Sequence, residues 1–422
     1  MTEPKLRFKE ENGVQFPDWE EKTFNDIADY KKGPFGSALK KKIFVPKSNS
    51  TVKVYEQQNA ISKDWRLERY FVTDEYFQAN LKSFSVSGGD IIVSCAGTIG
   101  EVYELPNDAE EGIINQALMR VRIKKSVINS MVFKCVFDKM ISSEGIKISN
   151  GSALKNIPPF ADMKKQPVFL PSLPEQQKIS SLFTELDTLI QSAEKELEGY
   201  RELKQGMLQK MFPKKGELVP EIRFSEFSGK WKKYELGDVL NDMYNGQTPS
   251  RSKPNYWNGN VKWLSSGELN RQTVYDSIES ITEEGRKSAN LRIIPKGTFV
   301  MAITGLEAAG TRGNCALLGF NTTLNQSCMA LFPNENLLTT KFLFQWYKNV
   351  GEEYGITYTQ GTKQQSYNAQ LLEILPISLP TIKEQNKITC LLEEIDNLIV
   401  SQQQELDGYK ELKKGLLQQM FC

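Results

Sequence analysis

The 422-residue chain contains no histidine. Imidazole is the side chain whose ordinary pKa lies nearest neutrality. Its absence excludes Ser-His-Asp and Cys-His nucleophile arrangements and the H-E-x-x-H metal motif. An enzyme built from this chain would have to run on carboxylates, lysines or a cofactor, so the absence favours a binding protein. The six cysteines (Cys95, Cys135, Cys315, Cys328, Cys390 and Cys422) lie far apart and form no C-x-x-C pair. They read as reduced intracellular thiols rather than a disulfide framework or a zinc site. No run approaches the roughly 18 apolar residues of a membrane helix. The opening MTEPKLRFKEENG lacks the apolar stretch of a secretory signal. A soluble, cytoplasmic protein with no cofactor, no metal and no membrane partner is expected.

What the chain has is length and a repeat. At 422 residues, with 39% hydrophobic and 25% charged residues, it reads as a soluble chain of two or more domains. The stretch LPSLPEQQKISSLFTELDTLI at 170–190 returns as LPTIKEQNKITCLLEEIDNLI at 379–399, 209 positions later. Laid over one another without a gap, 170–212 and 379–421 share 24 of 43 residues. Glu175/Glu384, Leu189/Leu398, Gly199/Gly408, Tyr200/Tyr409 and Phe212/Phe421 are among them. PKLRF (from Pro4) recurs as PEIRF (from Pro220), followed by Trp19 and Trp231, and Asn115-Gln116 recurs as Asn325-Gln326. Gly151 likewise matches Gly361. The whole chain is therefore two copies of one unit, a globular part followed by a long helix.

The helical parts are read from apolar spacing. Ile179, Leu182, Leu186, Leu189, Ala193, Leu197, Tyr200, Leu203, Met207 and Met211 follow at intervals of three or four. Ile388, Leu391, Ile395, Leu398, Leu406, Tyr409, Leu412, Leu416 and Met420 repeat the pattern. This predicts two helices with a coiled-coil seam, and Pro174 suits a first turn. About 38 residues at 1.5 Å each would make a rod of roughly 57 Å. The second globular part joins the end of one helix to the start of the other. Domain termini often lie close together, so the helices should run antiparallel and return the C-terminus to the first globular part. Gly199 and Gly408 would each cost about 1 kcal/mol in a helix interior. Their recurrence beside Tyr200 and Tyr409 suggests close helix approach or a docked partner, with plain tolerance the alternative. The globular parts mix β-like runs (GDIIVSCAG at 89–97, GTFVMAITG at 297–305, NQALMRVRI at 115–123) with helical stretches near 131–142 and 338–350. They read as α+β with a twisted mixed or antiparallel sheet. The expected boundaries are 1–167 and 213–378 for the globular parts, and 168–212 and 379–422 for the helices.

Charge is segregated along this plan. The helical stretches 175–212 and 384–421 carry −2 and −3, so with a net charge of +1 the remainder carries +6. Residues 31–47, KKGPFGSALKKKIFVPK, hold six lysines and no acid, and GQTPSRSKPNYWN at 246–258 holds Arg251 and Lys253 and no acid. Two further acid-free stretches, 145–157 and 354–372, match each other across the repeat. Lysine and arginine contact phosphates, while amides and hydroxyls read base edges. Lys31, Lys32, Lys40, Lys41, Lys155, Arg251, Lys253 and Lys363 are the candidate phosphate contacts. Asn150, Ser152, Gln360, Thr362 and Gln364 are the candidate base readers. Solvated surface loops are the bland alternative for any one of these stretches.

The GPFGS and TPSRSKPNYWNG loops, the AGTIG and TGLEAAG turns and the doubled LPxxxEQxxI helix start together resemble the specificity subunit of a type I restriction–modification system. The resemblance covers the whole chain. It implies two target-recognition domains held apart by two helices, each domain reading one half of a bipartite site in double-stranded DNA. It also implies that the helices dock two methyltransferase subunits and that restriction/translocase subunits join through them, with no catalysis by this chain. One rival is a DNA adenine methyltransferase, suggested by NIPPF at 156–160. However, Ile157 separates Asn156 from the prolines, and neither an F-x-G-x-G loop nor a G-x-x-x-x-G-K-[ST] loop is present. NIPPF reads as a proline turn. The other rival is a two-module scaffold for protein or sugar ligands on a coiled-coil spacer.

Overall fold

The structure, a computed structural model, describes residues 4–148, 159–307, 310–359 and 366–421. Four helices carry the frame: α1 (Ser130–Ile148), α2 (Leu173–Met211), α3 (Thr340–Thr357) and α4 (Ile382–Met420). The two long helices are each 39 residues. The chain divides into two compact units, Met1–Ala193 with Glu405–Cys422, and Glu194–Gln404. Each unit thus owns one globular part and portions of both long helices.

In the first unit, one sheet has the order Ala28–Lys32, Leu118–Ile123, Ile91–Ser94, Val102–Glu104, all antiparallel. In the second, the corresponding strands Leu240–Asn245, Cys328–Pro333, Phe299–Ala302 and Cys315–Leu318 follow in the same order, extended by a parallel edge strand, Thr273–Val274. The repeat therefore runs deeper than the sequence identity, through globular parts whose side chains have diverged. Ile91, Ile92 and Val93 are fully buried, as are Phe299 and Val300. A strand covered on both faces needs no polar alternation, which is why these stretches appear as continuous apolar runs. Each unit adds a second sheet, four-stranded in the first and three-stranded in the second, containing one parallel pair, Thr51–Tyr55 with Gly112–Ile114 and Trp257–Leu264 with Thr323–Leu324.

The repeated landmarks are anchors. Glu175, fully buried, takes the Arg7 guanidinium through Nε at 3.1 Å and Nη2 at 2.8 Å. Glu384 takes Arg223 in the same fork, both contacts at 2.8 Å, and the Trp231 indole N–H at 3.3 Å. The next residue does equivalent work. Gln176 accepts from the Asn129 backbone N–H and donates to the Val127 and Pro171 carbonyls. Gln385 accepts from the Thr339 N–H and donates to the Leu337 and Pro380 carbonyls. The Glu-Gln dipeptide of each helix start thus fastens the RF segment, and the turn before α1 or α3, to the long helix.

The long helices are antiparallel in both units. In the first, Phe183 lies against Phe421 (ring centroids 6.3 Å apart) and Asp187 takes Lys413 at 2.6 Å. In the second, Lys204 binds Asp396 and donates to the Leu392 carbonyl at 3.1 Å. Lys204–Asp396 and Lys413–Asp187 are the same pair written twice, at the 209-residue offset of the repeat. Not every expected seam position is covered. Leu189, Leu203, Leu398 and Leu412 are between 41% and 52% exposed, while Leu186, Leu197, Ile395 and Leu406 are buried. A seam between two helices needs only a narrow stripe, so the broader apolar pattern overfills it.

Burial, reinforced by Lys348 nearby, pushes Lys204 down to about 8, against the pull of Asp396. A lysine depressed in the folded state weighs fully against folding at neutral pH. The unfolded chain binds the extra proton between about 8 and 10.5, so stability rises with pH through that window. Relative to Lys204→Met, the wild-type chain is expected to gain stability, on the order of 3 kcal/mol in all, as pH rises from 7.5 to 10.5. Paired urea melts of the two proteins across that range check it, and a constant difference would contradict it.

The thiols Cys95, Cys135, Cys315 and Cys328 are free and buried, and Cys390 is exposed. Burial holds Cys95, Cys135 and Cys315 up near about 12, so they serve as core filler. No helix among the described residues is long and apolar enough to cross a membrane.

Candidate nucleic-acid interface

In the first unit the strand Ala28–Lys32 runs into the acid-free loop. Gly33 donates its N–H to the Leu118 carbonyl at 2.9 Å, and a Cβ there would sit 1.8 Å from the Asn115 carbonyl oxygen. Only glycine lets the two backbones pass. Asn115 in turn closes its own turn, its side chain accepting from the Ala117 N–H at 3.0 Å. Beyond Gly33, Pro34 and Leu39 are buried and pin the loop, while Lys32, Lys40, Lys41 and Lys42 are exposed. These four lysines have no ion-pair partner among the described residues. Lys31 is half-buried, its ammonium 4.7 Å from the centre of the Phe84 ring. Together these elements border a groove of about 490 Å3, lined by Tyr30, Lys31, Phe35, Phe84, Gln116 and Phe160 among others, with no acid among the described residues of its wall.

The second unit builds the same corner differently. Gly246 donates to the Cys328 carbonyl at 3.2 Å, and a Cβ there would meet the Leu324 carbonyl oxygen at 2.1 Å. Asn325 makes the matching turn with the Ser327 N–H at 3.1 Å. Thr248 donates its hydroxyl to the Gln326 side-chain oxygen. Arg251 is forked onto Glu279, with Nη2 at 2.8 Å, and stacks 3.7 Å above the Trp257 ring. As it stands, its charge is matched by Glu279, and a phosphate would have to share it. Lys253 is exposed and donates to the Tyr256 hydroxyl at 3.0 Å.

Of the expected site residues, Lys31 and Lys32 end the strand Ala28–Lys32, Lys40 and Lys41 lie on the loop that follows it, and Arg251 and Lys253 lie on the counterpart loop. Lys155, Lys363, Asn150, Ser152, Gln360, Thr362 and Gln364 lie outside the described residues, as do the first three residues of NIPPF. Phe160 at its end opens the short helix Phe160–Lys165. A Cβ added at Gly199 or Gly408 meets nothing within 4 Å, and the same holds at Gly206 and Gly415. Close helix approach is therefore not what places glycine there, which corrects that half of the expectation. Tyr200 and Tyr409 beside them are half-buried, and Tyr409 donates to Glu405 at 2.7 Å. Phe35, Gln116, Gln326 and Trp257, which neighbour these candidates, were not singled out from the sequence. Gln116 and Gln326 were visible as repeat landmarks, but nothing in the sequence showed that they sit beside the lysine loop and its counterpart.

Two stretches, 17–199 and 228–408, match the family model of the type I restriction modification DNA specificity domain. The chain belongs to this family. Each match takes in a globular part and the following helix up to Gly199 or Gly408, so a specificity domain here is a module together with most of its rod. A type I restriction enzyme specificity subunit of Escherichia coli is 28% identical over 195 residues, 46% of this chain and 47% of that protein. One from Methanocaldococcus jannaschii is 25% identical over 194 residues, 45% of this chain and 44% of that protein. The chain thus matches about half the length of these two relatives. Another from the same organism is 21% identical over 440 residues, covering 97% of this chain and 94% of that protein. The crystal structure of a type I restriction–modification S subunit from M. genitalium superposes with a TM-score of 0.59 at 14% identity, covering 100% of this chain and 99% of that one. At that identity the likeness establishes the shared fold.

Proposed function

We propose that this chain is the DNA-binding specificity subunit of a type I restriction–modification complex, each specificity domain reading one half of a bipartite double-stranded target. The observation that carries the reading is the doubling of the specificity domain within one chain, with the same strand order in both globular parts. Lys31, Lys32, Lys40, Lys41 and Lys253 hold phosphates, together with Lys155 and Lys363, and with Arg251 sharing its charge between Glu279 and DNA. Asn150, Ser152, Gln360, Thr362 and Gln364 read base edges. The long helices separate the half-sites and dock two methyltransferase subunits, through which restriction/translocase subunits join in the cytoplasm. Leu189, Leu203, Leu398 and Leu412, exposed at matching repeat positions, and the glycines free of packing on the same helices, support a partner on the rods.

Phosphate contacts release counterions, so affinity falls with salt by a log–log slope of about 0.9 per neutralised phosphate. Lys40→Ala or Lys41→Ala is expected to weaken binding to all sequences alike and to flatten the salt slope by about one unit. A titration of the complex on target and unrelated duplexes from low to moderate salt reads this. A variant that changes sequence preference without changing the slope would show that lysine was assigned wrongly. Salt-insensitive binding by the wild-type complex would remove the DNA reading altogether. The purified chain alone, given DNA, ATP, magnesium and methyl donor, is expected to turn nothing over. Activity that survives removal of contaminants would overturn the non-catalytic role.

A further inference from the structure

Phe35 is 89% exposed, among the most exposed large apolar side chains on the described surface. Its backbone is nevertheless held firmly. Gly33 is wedged against Asn115, Pro34 and Leu39 are buried on either side, and the Phe35 carbonyl accepts the Ala38 N–H at 2.9 Å. A loop anchored at both ends thus presents an aromatic ring to solvent from the rim of the groove, which Lys31 and Lys32 also line and which has no acid among its described lining residues. Gln116 stands across this groove, exposed, with no hydrogen-bond partner for its amide among the described residues. The repeat supplies an internal control. Gly33 and Gly246 occupy the same register, bonded to the equivalent carbonyls of Leu118 and Cys328, so Phe35 corresponds to Thr248 and Gln116 to Gln326. In the second unit those two side chains satisfy each other. In the first, the hydroxyl is replaced by a ring that cannot hydrogen-bond, and both groups are left open.

We propose that Phe35 is a stacking wedge for the first half-site, entering beside a base step of duplex DNA while Gln116 reads an adjacent base edge. The inference rests on the DNA reading above and adds a residue-level asymmetry to it: the first half-site is locally unstacked and the second is not. Apolar side chains inserted at base steps unstack and kink the duplex, flexible pyrimidine–purine steps yielding most easily. An aromatic ring against a base face recovers apolar area that the free chain leaves in water. The lysines flanking the ring neutralise the phosphates of the step that it opens. A glutamine amide donates to and accepts from an adenine edge at once.

The test uses the assembled complex with its modification subunits on a duplex carrying its own mapped target. 2-Aminopurine is placed in turn at positions of each half-site. Apart from the methylated adenines, which the methyltransferase subunits extrude by themselves, binding is expected to raise the emission at one step of the first half-site and at none in the second. Phe35→Ala should abolish that rise and weaken target binding roughly 5- to 100-fold, while Phe35→Trp keeps both. Gln116→Ala should relax preference at a single base of the same half-site. Wild-type binding with no emission change, or Phe35→Ala with unchanged affinity and emission, would overturn the wedge and leave the DNA reading standing. So would a loss equal on target and unrelated DNA, which would make Phe35 a nonspecific contact. Failure of the wild-type complex to prefer its target would strike the DNA reading itself.

Discussion

Replacing Arg223 by alanine is expected to destabilise the second unit by about 3–5 kcal/mol. Glu384 is 1% exposed, and the guanidinium fork is its only cationic partner among the described residues. Removing the arginine leaves a buried carboxylate with the Trp231 N–H alone, at 3.3 Å. An unpaired buried charge loses most of its hydration and regains little from one neutral donor. Arg223 also donates to the Ser228 and Gly229 carbonyls, so the loop that follows it loosens as well. The double variant Arg223→Met with Glu384→Leu should be much less damaged than Arg223→Ala, because no charge is stranded. Arg7→Ala should act in the same way on the first unit through Glu175, whose side chain is fully buried. Since two units need not melt together, hydrogen exchange should be read unit by unit. Protection is expected to fall around the helix start at Glu384 in one variant and at Glu175 in the other. A loss under 1 kcal/mol, with unchanged protection there, would show that the clamp does not hold module to rod.

The second large effect concerns spacing. Four residues inserted after Lys195 add about one helical turn, roughly 6 Å at 1.5 Å per residue. That is nearly two base pairs at about 3.4 Å per step. The two half-site sequences should be unchanged while the spacer between them lengthens, because the insertion lies in the rod and touches no loop of either globular part. The ion pairs Asp187–Lys413 and Lys204–Asp396 lie on either side of the insertion, so four residues are inserted after Gln404 as well: α4 spans the same two pairs, and helices of unequal length between them could not keep both. Methylation by a well-folded insertion variant, still bound to its modification subunits, at the original spacing would place the ruler in the partners instead.

The rods and the duplication were legible because both are periodic signals: apolar spacing of three and four, and identity at a constant offset. The globular strands at 91–94 and 299–302 were legible for a related reason, as apolar runs between glycines. The identical sheet order was not, since strand pairing depends on contacts far apart in sequence. Glu175 and Gln176 stood out as repeated residues, yet their work is tertiary: Arg7 is 168 positions away from Glu175, and Asn129 is 47 from Gln176. Leu189 and Leu203 were read as seam because helical periodicity says which residues share a face, not how wide the partner covering it is. Phe35 was passed over in a loop quoted for its lysines. A lone phenylalanine between glycines gives no sign of whether it packs inward or stands in solvent. Arg251 shows the converse, a basic residue legible by type whose carboxylate partner lies 28 positions on.

The most direct test of the account exchanges residues 20–170 for the corresponding stretch of a relative with a different target. The exchanged chain is then expressed with its modification subunits, and methylated adenines are mapped across the DNA of the host. A bipartite target is expected, in which one half-site takes the relative's sequence while the other half and the spacer length stay as they are in the wild type. Replacement of both half-sites together, or a change in spacer with neither half altered, would contradict the claim that each specificity domain reads its own half of the site.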